Sequence, residues 1–483
     1  MRLALLGIIF SSLSARILVD TVGWTTRDRQ FAGPAVRYIA LDTLRGLHIV
    51  YKDGNGVIRY NFQPAGGGWR FAQPIAINTY PRNLGCLDIN ITTGRAVISA
   101  DYLNRGERRI TCFVDQGTGV AAFQEMEIAR GFRSSLVAAS RYGYRKYAAI
   151  IRDSLYYCSP WSARSLGPIG PFPLHNFTAS KQSNRLGFVW TDYSTGRLYF
   201  RETPDGGGSW YPVHSLSDSI PGRFRFSQFG AGLVYDSIQP HLVCDLYDGQ
   251  NRGRIQLWHY CQYQQPNWSL ITEYRFPDTG RLGISTAALD RPSIAIDRRK
   301  INSDLNHLYV VWEQFDPENI DPLTGIARAD IWASFSADNG RTWSRARRLT
   351  EPDQTSKRFP VIADVATDTL YILYFADQQA GIWELGEGKR IRNPVILLRV
   401  PVELFLNPEP DRSPADDHQQ LREIPSVVSV RKLEQLLPAT TGFTLFDRAG
   451  RKIPASGFSR LQPGVYFLRS GQPAQCRPLI VIN

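Results

Sequence analysis

Methionine is nearly missing from this chain, with 2 in 483 residues, while phenylalanine, tyrosine and tryptophan make up 12%. That balance suits β-structure, whose pleated faces pack aromatic and branched side chains. Histidine is scarce as well, at 7, and dispersed. No His-Glu-x-x-His pair, Gly-x-Ser-x-Gly elbow or phosphate-cradling glycine loop occurs, which removes zinc-protease, serine-hydrolase and nucleotide-binding readings. No Cys-x-x-Cys or Cys/His spacing suggests zinc, and neither a metal nor a cofactor is expected. No apolar run reaches transmembrane length, so no membrane span is expected.

Six cysteines are present. An even count in an exported chain permits disulfides. Cys244 and Cys261 flank one expected hairpin and form the candidate pair; ordinary apolar strand positions are the alternative for the cysteines. Hydrophobic residues at 43% and charged residues at 21% describe a globular chain. The net charge is +12. Such a surface attracts anionic glycans or an acidic envelope surface. The arginines are scattered along strand edges with no dense basic run, so nucleic acid is not an expected partner.

The first fifteen residues read as a secretory signal. Met1-Arg2 is basic, Leu3 to Phe10 is a short apolar core, and Ser12-Leu13-Ser14-Ala15 supplies small residues for cleavage. A secreted or cell-surface location follows as an expectation. Residues 16–33 read as a separate N-terminal strand segment that pairs with the last repeat and helps close a ring.

A period of 40–70 residues then recurs seven times over 34–403. The second strand of each unit is clearest, and each ends in an acid: Asp53, Asp101, Asp153, Asp192, Asp245, Glu313 and Asp377. These strands are near-continuous apolar runs, as expected when both faces are buried. Third strands are expected to begin near Ile58, Arg109, Leu155, Leu198, Ile255, Ile331 and Ile382. The stretch from Gln314 to Arg328 reads as an inserted surface loop. Four short strands per unit with glycine-rich turns describe an all-β, seven-bladed β-propeller, with six blades as the alternative count. Residues 404–425 are proline-rich and acidic, a linker by composition. Residues 426–483 read as a small C-terminal β-sandwich.

Two turns share one pattern. Ser336-Ala337-Asp338-Asn339-Gly340-Arg341-Thr342-Trp343 and Thr203-Pro204-Asp205-Gly206-Gly207-Gly208-Ser209-Trp210 both read Ser/Thr-x-Asp-x-Gly-x-Ser/Thr-Trp. The carboxylate can accept bonds from its own turn, glycine takes positive φ, and tryptophan plugs the turn. The pattern resembles the Asp-box, or BNR repeat, of sialidase-like β-propellers. That resemblance implies structural roles for Ser336, Asp338, Gly340, Thr342, Trp343, Thr203, Asp205, Gly207, Ser209 and Trp210. It also implies that any site lies on the opposite face. The C-terminal module carries Phe446-Asp447-Arg448-Ala449-Gly450-Arg451, then Leu461-Gln462-Pro463-Gly464-Val465-Tyr466-Phe467 and an apolar final strand. It resembles the sorting domain of type IX secretion cargo, which implies contact with secretion machinery and a bacterial source.

On the face away from the boxes, Arg37, Arg133, Arg291 and Arg358 stand at or just before first strands. Arginine forks suit carboxylate, sulfate or phosphate, and these four are the ligand-binding candidates. Paired carboxylates suit glycoside hydrolysis, with Asp192, Glu313 and Asp377 as the catalytic candidates. An acid repeated in every blade is also what a local turn residue would look like. Sialidase-like chemistry further requires an arginine in a Phe/Tyr-Arg-Ile/Leu-Pro motif before the first box. Tyr274-Arg275-Phe276-Pro277 and Lys357-Arg358-Phe359-Pro360 imitate it, but too late in the chain. The expected function is therefore an exported, non-catalytic propeller that binds a glycan, a protein or an envelope surface through one loop-rich face. An exo-acting, sialidase-like glycoside hydrolase on acidic sugars is the first alternative, and a structural cell-surface protein the second.

Overall fold

The computed structural model describes residues 16–28, 37–139, 145–151, 154–159, 162–169, 174–192, 194–220, 224–249, 251–284, 286–297, 299, 306–406 and, beyond 406, strand segments 427–429, 443–446, 452–453, 464–470 and 475–482. Two compact units divide at Leu406. The first holds seven sheets, each a propeller blade, antiparallel except for a short parallel pairing of Val365–Ala366 with the first strand of blade 6.

Blade 1 comprises Ile39–Asp42, Gly46–Lys52, Ile58–Pro64 and Ile75–Ala76. Blade 2 comprises Asn83–Asn90, Arg95–Asn104, Glu107–Asp115 and Phe123–Arg130. Blade 3 comprises Arg133–Ala139, Arg145–Ile151, Ser154–Ser159 and Ser162–Pro168. Blade 4 comprises Leu174–Ala179, Leu186–Asp192, Arg197–Thr203 and His214–Ser215. Blade 5 comprises Phe224–Tyr235, Pro240–Asp248, Asn251–Tyr260 and Trp268–Arg275. Blade 6 comprises Leu289–Asp297, Leu308–Ile320, Ala327–Ser336 and Arg347–Arg348. Blade 7 has Ser356–Ile362, Thr369–Asp377 and Asn393–Pro401, and takes its fourth strand from the N-terminus.

That fourth strand is Leu18–Thr25, antiparallel to Asn393–Pro401 from Leu18↔Arg399 to Thr25↔Asn393. One blade therefore draws strands from both ends of the propeller sequence, and pulling either end out must break the ring. A Cβ on Gly23 would stand 2.2 Å from the Tyr51 hydroxyl of blade 1, so only glycine lets the closing strand pass that ring.

The second strands are buried along both faces, as their apolar runs predict. Leu308 to Phe315 is buried without a break, and Trp312 is the largest fully buried side chain among the described residues. A polar plug fills the ring near its axis. Arg37 donates to the Val137 carbonyl of blade 3 (2.6 Å) and the Phe177 carbonyl of blade 4 (2.7 Å) and lies 3.7 Å from Asp88 of blade 2. Burial alone would raise the Asp88 pKa; Lys181, at 2.6 Å, and Arg37 hold it below the ordinary value.

Three expectations are corrected. Ile382 does not begin the third strand of blade 7; Asn393 does. Ile382 instead caps a 3-10 turn, Trp383–Leu385, in a loop where Gly381, Gly386 and Gly388 all take positive φ. The stretch 314–328 is no free loop either: it continues the blade 6 hairpin through Ile320↔Ala327 around a bulge. Cys244 and Cys261 are free thiols. Cys244 pairs with Trp258, three residues short of Cys261, whose sulfur turns to Gln239 at 3.3 Å.

The second unit, 407–483, carries a five-stranded sheet in the order Val427–Ser429, Gln475–Ile482, Gly464–Ser470, Phe443–Phe446, Lys452–Ile453. Its first pair is parallel and the others antiparallel. The signal-like residues 1–15 and the sorting-like turn 447–450 lie outside the described residues.

Candidate functional site

The two Ser/Thr-x-Asp-x-Gly turns follow third strands and lie on one face of the ring. Asp338 accepts from the Thr342 amide (2.9 Å), the Thr342 hydroxyl (2.6 Å) and the Ser336 hydroxyl (2.8 Å). Asp205 takes the same bonds from Ser209 and Thr203. Burial is the largest single influence at Asp338 and would raise it, but the turn bonds together outweigh burial and pull both carboxyls below the ordinary range. Each turn also rivets its blade to the one before. Trp343 donates to Ser269 of blade 5 at 3.1 Å, and Trp210 packs edge-on to Tyr157 of blade 3. A Cβ on Gly340 would meet the His259 ring at 2.3 Å, and one on Gly207 the Tyr157 ring at 2.5 Å. These glycines are needed for close approach as well as for positive φ.

On the other face, blades 6 and 7 build a buried charge cluster. Both first strands carry a bulge just before a proline: the register shifts between Asp290 and Ser293, and between Arg358 and Val361. At each bulge a non-glycine residue takes positive φ, Arg291 at 54° and Phe359 at 57°. Such positions are strained, and bulges re-aim side chains. Here they turn two arginines onto one carboxylate. Arg291 Nη1 lies 2.5 Å from Glu313 Oε1 and 3.1 Å from Asp290 Oδ2. Arg358 Nε donates to Glu313 Oε2 at 3.2 Å, and the Phe359 amide donates to the same oxygen at 2.7 Å. The Phe359 ring lies 4.5 Å from the Arg291 guanidinium and 4.9 Å from that of Arg358.

Burial would raise Glu313, but Arg358 and Arg291 more than offset it and hold the carboxylate ionised below its usual range. Asp290 goes the other way: burial, with Asp245 and Glu313 nearby, pushes it well up despite Arg291. Asp377, at the end of the neighbouring second strand, is pushed by burial up to about 7, and the charge of Asp28 adds to the effect. Asp28, from the closing segment, is pushed by burial up to about 6.

The expected site residues thus divide. Arg291, Arg358 and Glu313 come together. Arg37 does not join them; its guanidinium is consumed by carbonyls inside the ring. Arg133 lies on a first strand, its side chain outside the described residues. Asp192 is a turn residue of blade 4, accepting from Ser194 and Thr195. Asp53 is likewise a turn residue, Asp101 accepts from Asn83 and Arg108 of its own blade, and Asp377 accepts from Gln379 and Asn393. Asp153 falls outside the described residues. Among the described residues no three His, Cys, Asp or Glu side chains are placed to hold a metal, and no helix is long and apolar enough to cross a membrane.

No family model and no curated protein matches the chain. Solved structures do resemble it. A protein of unknown function from Dyadobacter fermentans shares 10% identity over 79% of this chain and 99% of its own, with a TM-score of 0.42. A PL25 ulvan lyase shares 10% over 75% and 94%, at 0.49. A Hadza microbial sialidase shares 11% over 77% and 66%, at 0.40. The activities in those names are theirs.

Asp290 and Asp28 were missed by sequence reasoning as members of this cluster, whereas Asp245 was named among the second-strand acids. Asp290 did carry a signal, standing beside a candidate arginine and two residues before a proline. Asp28 carried none, because its neighbours come from blade 7, more than 340 residues away.

Proposed function

We propose that the protein is an exported β-propeller that binds an anionic glycan without catalysing its cleavage, through the face opposite the two box turns. One observation carries this: the described acids of that face are engaged within the protein, Glu313 by two arginines. Glu313 is 0% exposed and Arg358 is 1% exposed, and three of the other second-strand acids are closed into turns. A general acid and a nucleophile must reach the glycosidic oxygen and the anomeric carbon, and these do not. The net charge of +12 gives long-range attraction for an anionic chain. The test is a glycan array of sulfated and uronate-bearing glycans read at low and at physiological salt. Binding to anionic members that weakens as salt rises is the expected result; silence across the array sinks the reading.

A second reading is favoured by one observation. Asp377 is pushed up to about 7 while Glu313, one blade away, is held low. Two carboxyls driven apart in this way are the mark of an acid–base pair. Under that reading an acidic polysaccharide would lose length on incubation with the protein, and Asp377→Asn would stop it. Unchanged chain length with the native protein removes it.

A further inference from the structure

The loop between the second and third strands of blade 7 spans residues 378–392, between Asp377 and Asn393. It is pinned at its rim by polar groups from four separate elements. The Ala380 amide donates to Asp321 of the blade 6 hairpin at 2.7 Å. The Trp383 amide donates to Asp28, and the Trp383 indole to the Thr26 carbonyl at 2.8 Å. Glu387 accepts from the Ile284 amide of the blade 5–6 connection. Arg390 donates to the Gly54 carbonyl of blade 1 at 2.9 Å. Apolar anchoring is confined to the first half of the loop: Ala380 and Ile382 are buried, and Leu385 packs partly buried against the cluster that contains Ile382 and Phe359. Phe359 is the ring stacked on Arg291 and Arg358.

A segment held by many polar bonds and little buried apolar surface belongs to the low-stability end of a fold. Gly381, Gly386 and Gly388, at φ 117°, 89° and 78°, supply backbone that can pivot. Arg358 stands opposite Phe375, on the strand that runs into the loop, and its Nη2 is buried and has no hydrogen-bond partner among the described residues. Leaving a charged donor unpaired in the interior is costly, and an anionic oxygen would pair with it.

We propose that residues 378–392 are a gate, closed in this structure, which opens on its glycines to admit the carboxylate or sulfate of a glycan to Arg358. This rests on the binding reading above and adds how the buried cluster becomes reachable. In the closed state Glu313 stands in for the ligand anion. On opening, the ligand takes the free Nη2, with the Glu313 bonds to Arg291 and the Phe359 amide kept.

Amide hydrogen exchange on the full chain tests the gate without any ligand. Residues 378–392 should exchange at least about tenfold faster than the flanking strands Thr369–Asp377 and Asn393–Pro401, through local opening. Glu387→Gln, which puts a donor where an acceptor was, should accelerate the loop about tenfold more and leave those strands unchanged. Gly386→Ala tests the same equilibrium without crowding, since a Cβ there meets nothing within 4 Å and only strains a φ of 89°. A loop that exchanges no faster than its strands, in native and variant alike, overturns the proposal. With heparin oligosaccharide as the probe, both variants should bind with a faster on-rate than the native chain. If loop opening is seen and no anionic glycan binds, the binding reading fails and the gate stands. If glycan binds at rates the two variants do not change, the gate fails and the binding reading stands.

Discussion

The two faces of blades 5 to 7 both hold buried polar networks, and they are built in opposite ways. On the box face the bonds of the buried carboxylate are local, and longer links such as Trp343 to Ser269 are added to a turn that is already closed. Asp338 takes its bonds from residues two and four positions away, and the adjoining seam runs from Asp236 through His241 and His259 to Ser269, with His241 Nδ1 3.0 Å from His259 Nε2. On the loop face the partners of Glu313 lie 22, 45 and 46 residues away. A local network forms with its turn and can be lost with it. A long-range one exists only once the ring has closed, and each member is exposed to the full cost of a buried charge if its partner goes.

The largest expected difference follows directly. Glu313→Ala leaves Arg291 and Arg358 facing each other in the interior, and breaking a buried ion network from one side costs about 3–5 kcal/mol. Asp338→Ala removes turn bonds at a partly exposed site, at about 1–3 kcal/mol. Urea unfolding followed by tryptophan fluorescence should place the Glu313 variant well below the Asp338 variant. Equal midpoints would mean that the arginines find water or other partners, and the contrast between the faces would collapse.

The next difference is one of sign with pH. Asp28 and Asp377 are raised above their unfolded values, to about 6 and about 7. Their contribution to stability is full below pH about 4 and is lost as pH rises through those values. His259 is depressed well below its ordinary value, by burial first and then by His241. Its contribution is full above pH about 6.5 and is lost as pH falls below that. Trp383, bonded to Asp28, and Trp343, stacked edge-on to His259, are reporters on the two faces. Raising pH from about 5 to about 8 should lower the denaturant midpoint reported by Trp383 and raise that reported by Trp343. Parallel movement of the two midpoints would show the faces to be one cooperative unit.

The same contrast explains what was legible in the sequence. The blades could be read because each is made of neighbours: apolar second strands such as Leu186–Asp192, and turns whose asparagine, aspartate and glycine bonds close within four residues. Seven repeats of a local pattern give seven blades. The turn bonds of Asp205 and Asp338 could be read for the same reason. Ile382 was misplaced because a strand and a buried loop anchor share an apolar residue, and the three glycines that decide between them act through φ. The disulfide expectation failed on register, a matter of three residues that spacing alone does not fix. Arg291 and Arg358 were chosen for their place before first strands, and they converge because Pro292 and Pro360 sit behind a bulge in each. Arg37 met the same criterion without a bulge-proline pair and went into the ring. That the bulges would aim two guanidiniums at Glu313 is a tertiary fact with no one-dimensional trace.

The smallest expected effect sharpens the comparison most cheaply. Tyr274-Arg275-Phe276-Pro277 and Lys357-Arg358-Phe359-Pro360 share an Arg-Phe-Pro core, yet they do not share an environment. Arg275 ends the outer strand of blade 5 with its side chain 71% exposed, and its partner Glu273 lies two residues away at 3.2 Å. Phe276 is the buried member there, whereas in blade 7 Lys357, Arg358 and Phe359 are all buried. An exposed pair of this kind is worth little after solvent screening. Arg275→Ala should therefore change stability by no more than about 0.5 kcal/mol and leave binding to anionic glycans within twofold, whereas Arg358→Ala should abolish binding. A large loss of glycan affinity from Arg275→Ala would move the binding surface to the outer rim of blade 5, and the buried cluster of blades 6 and 7 would then be a structural device alone.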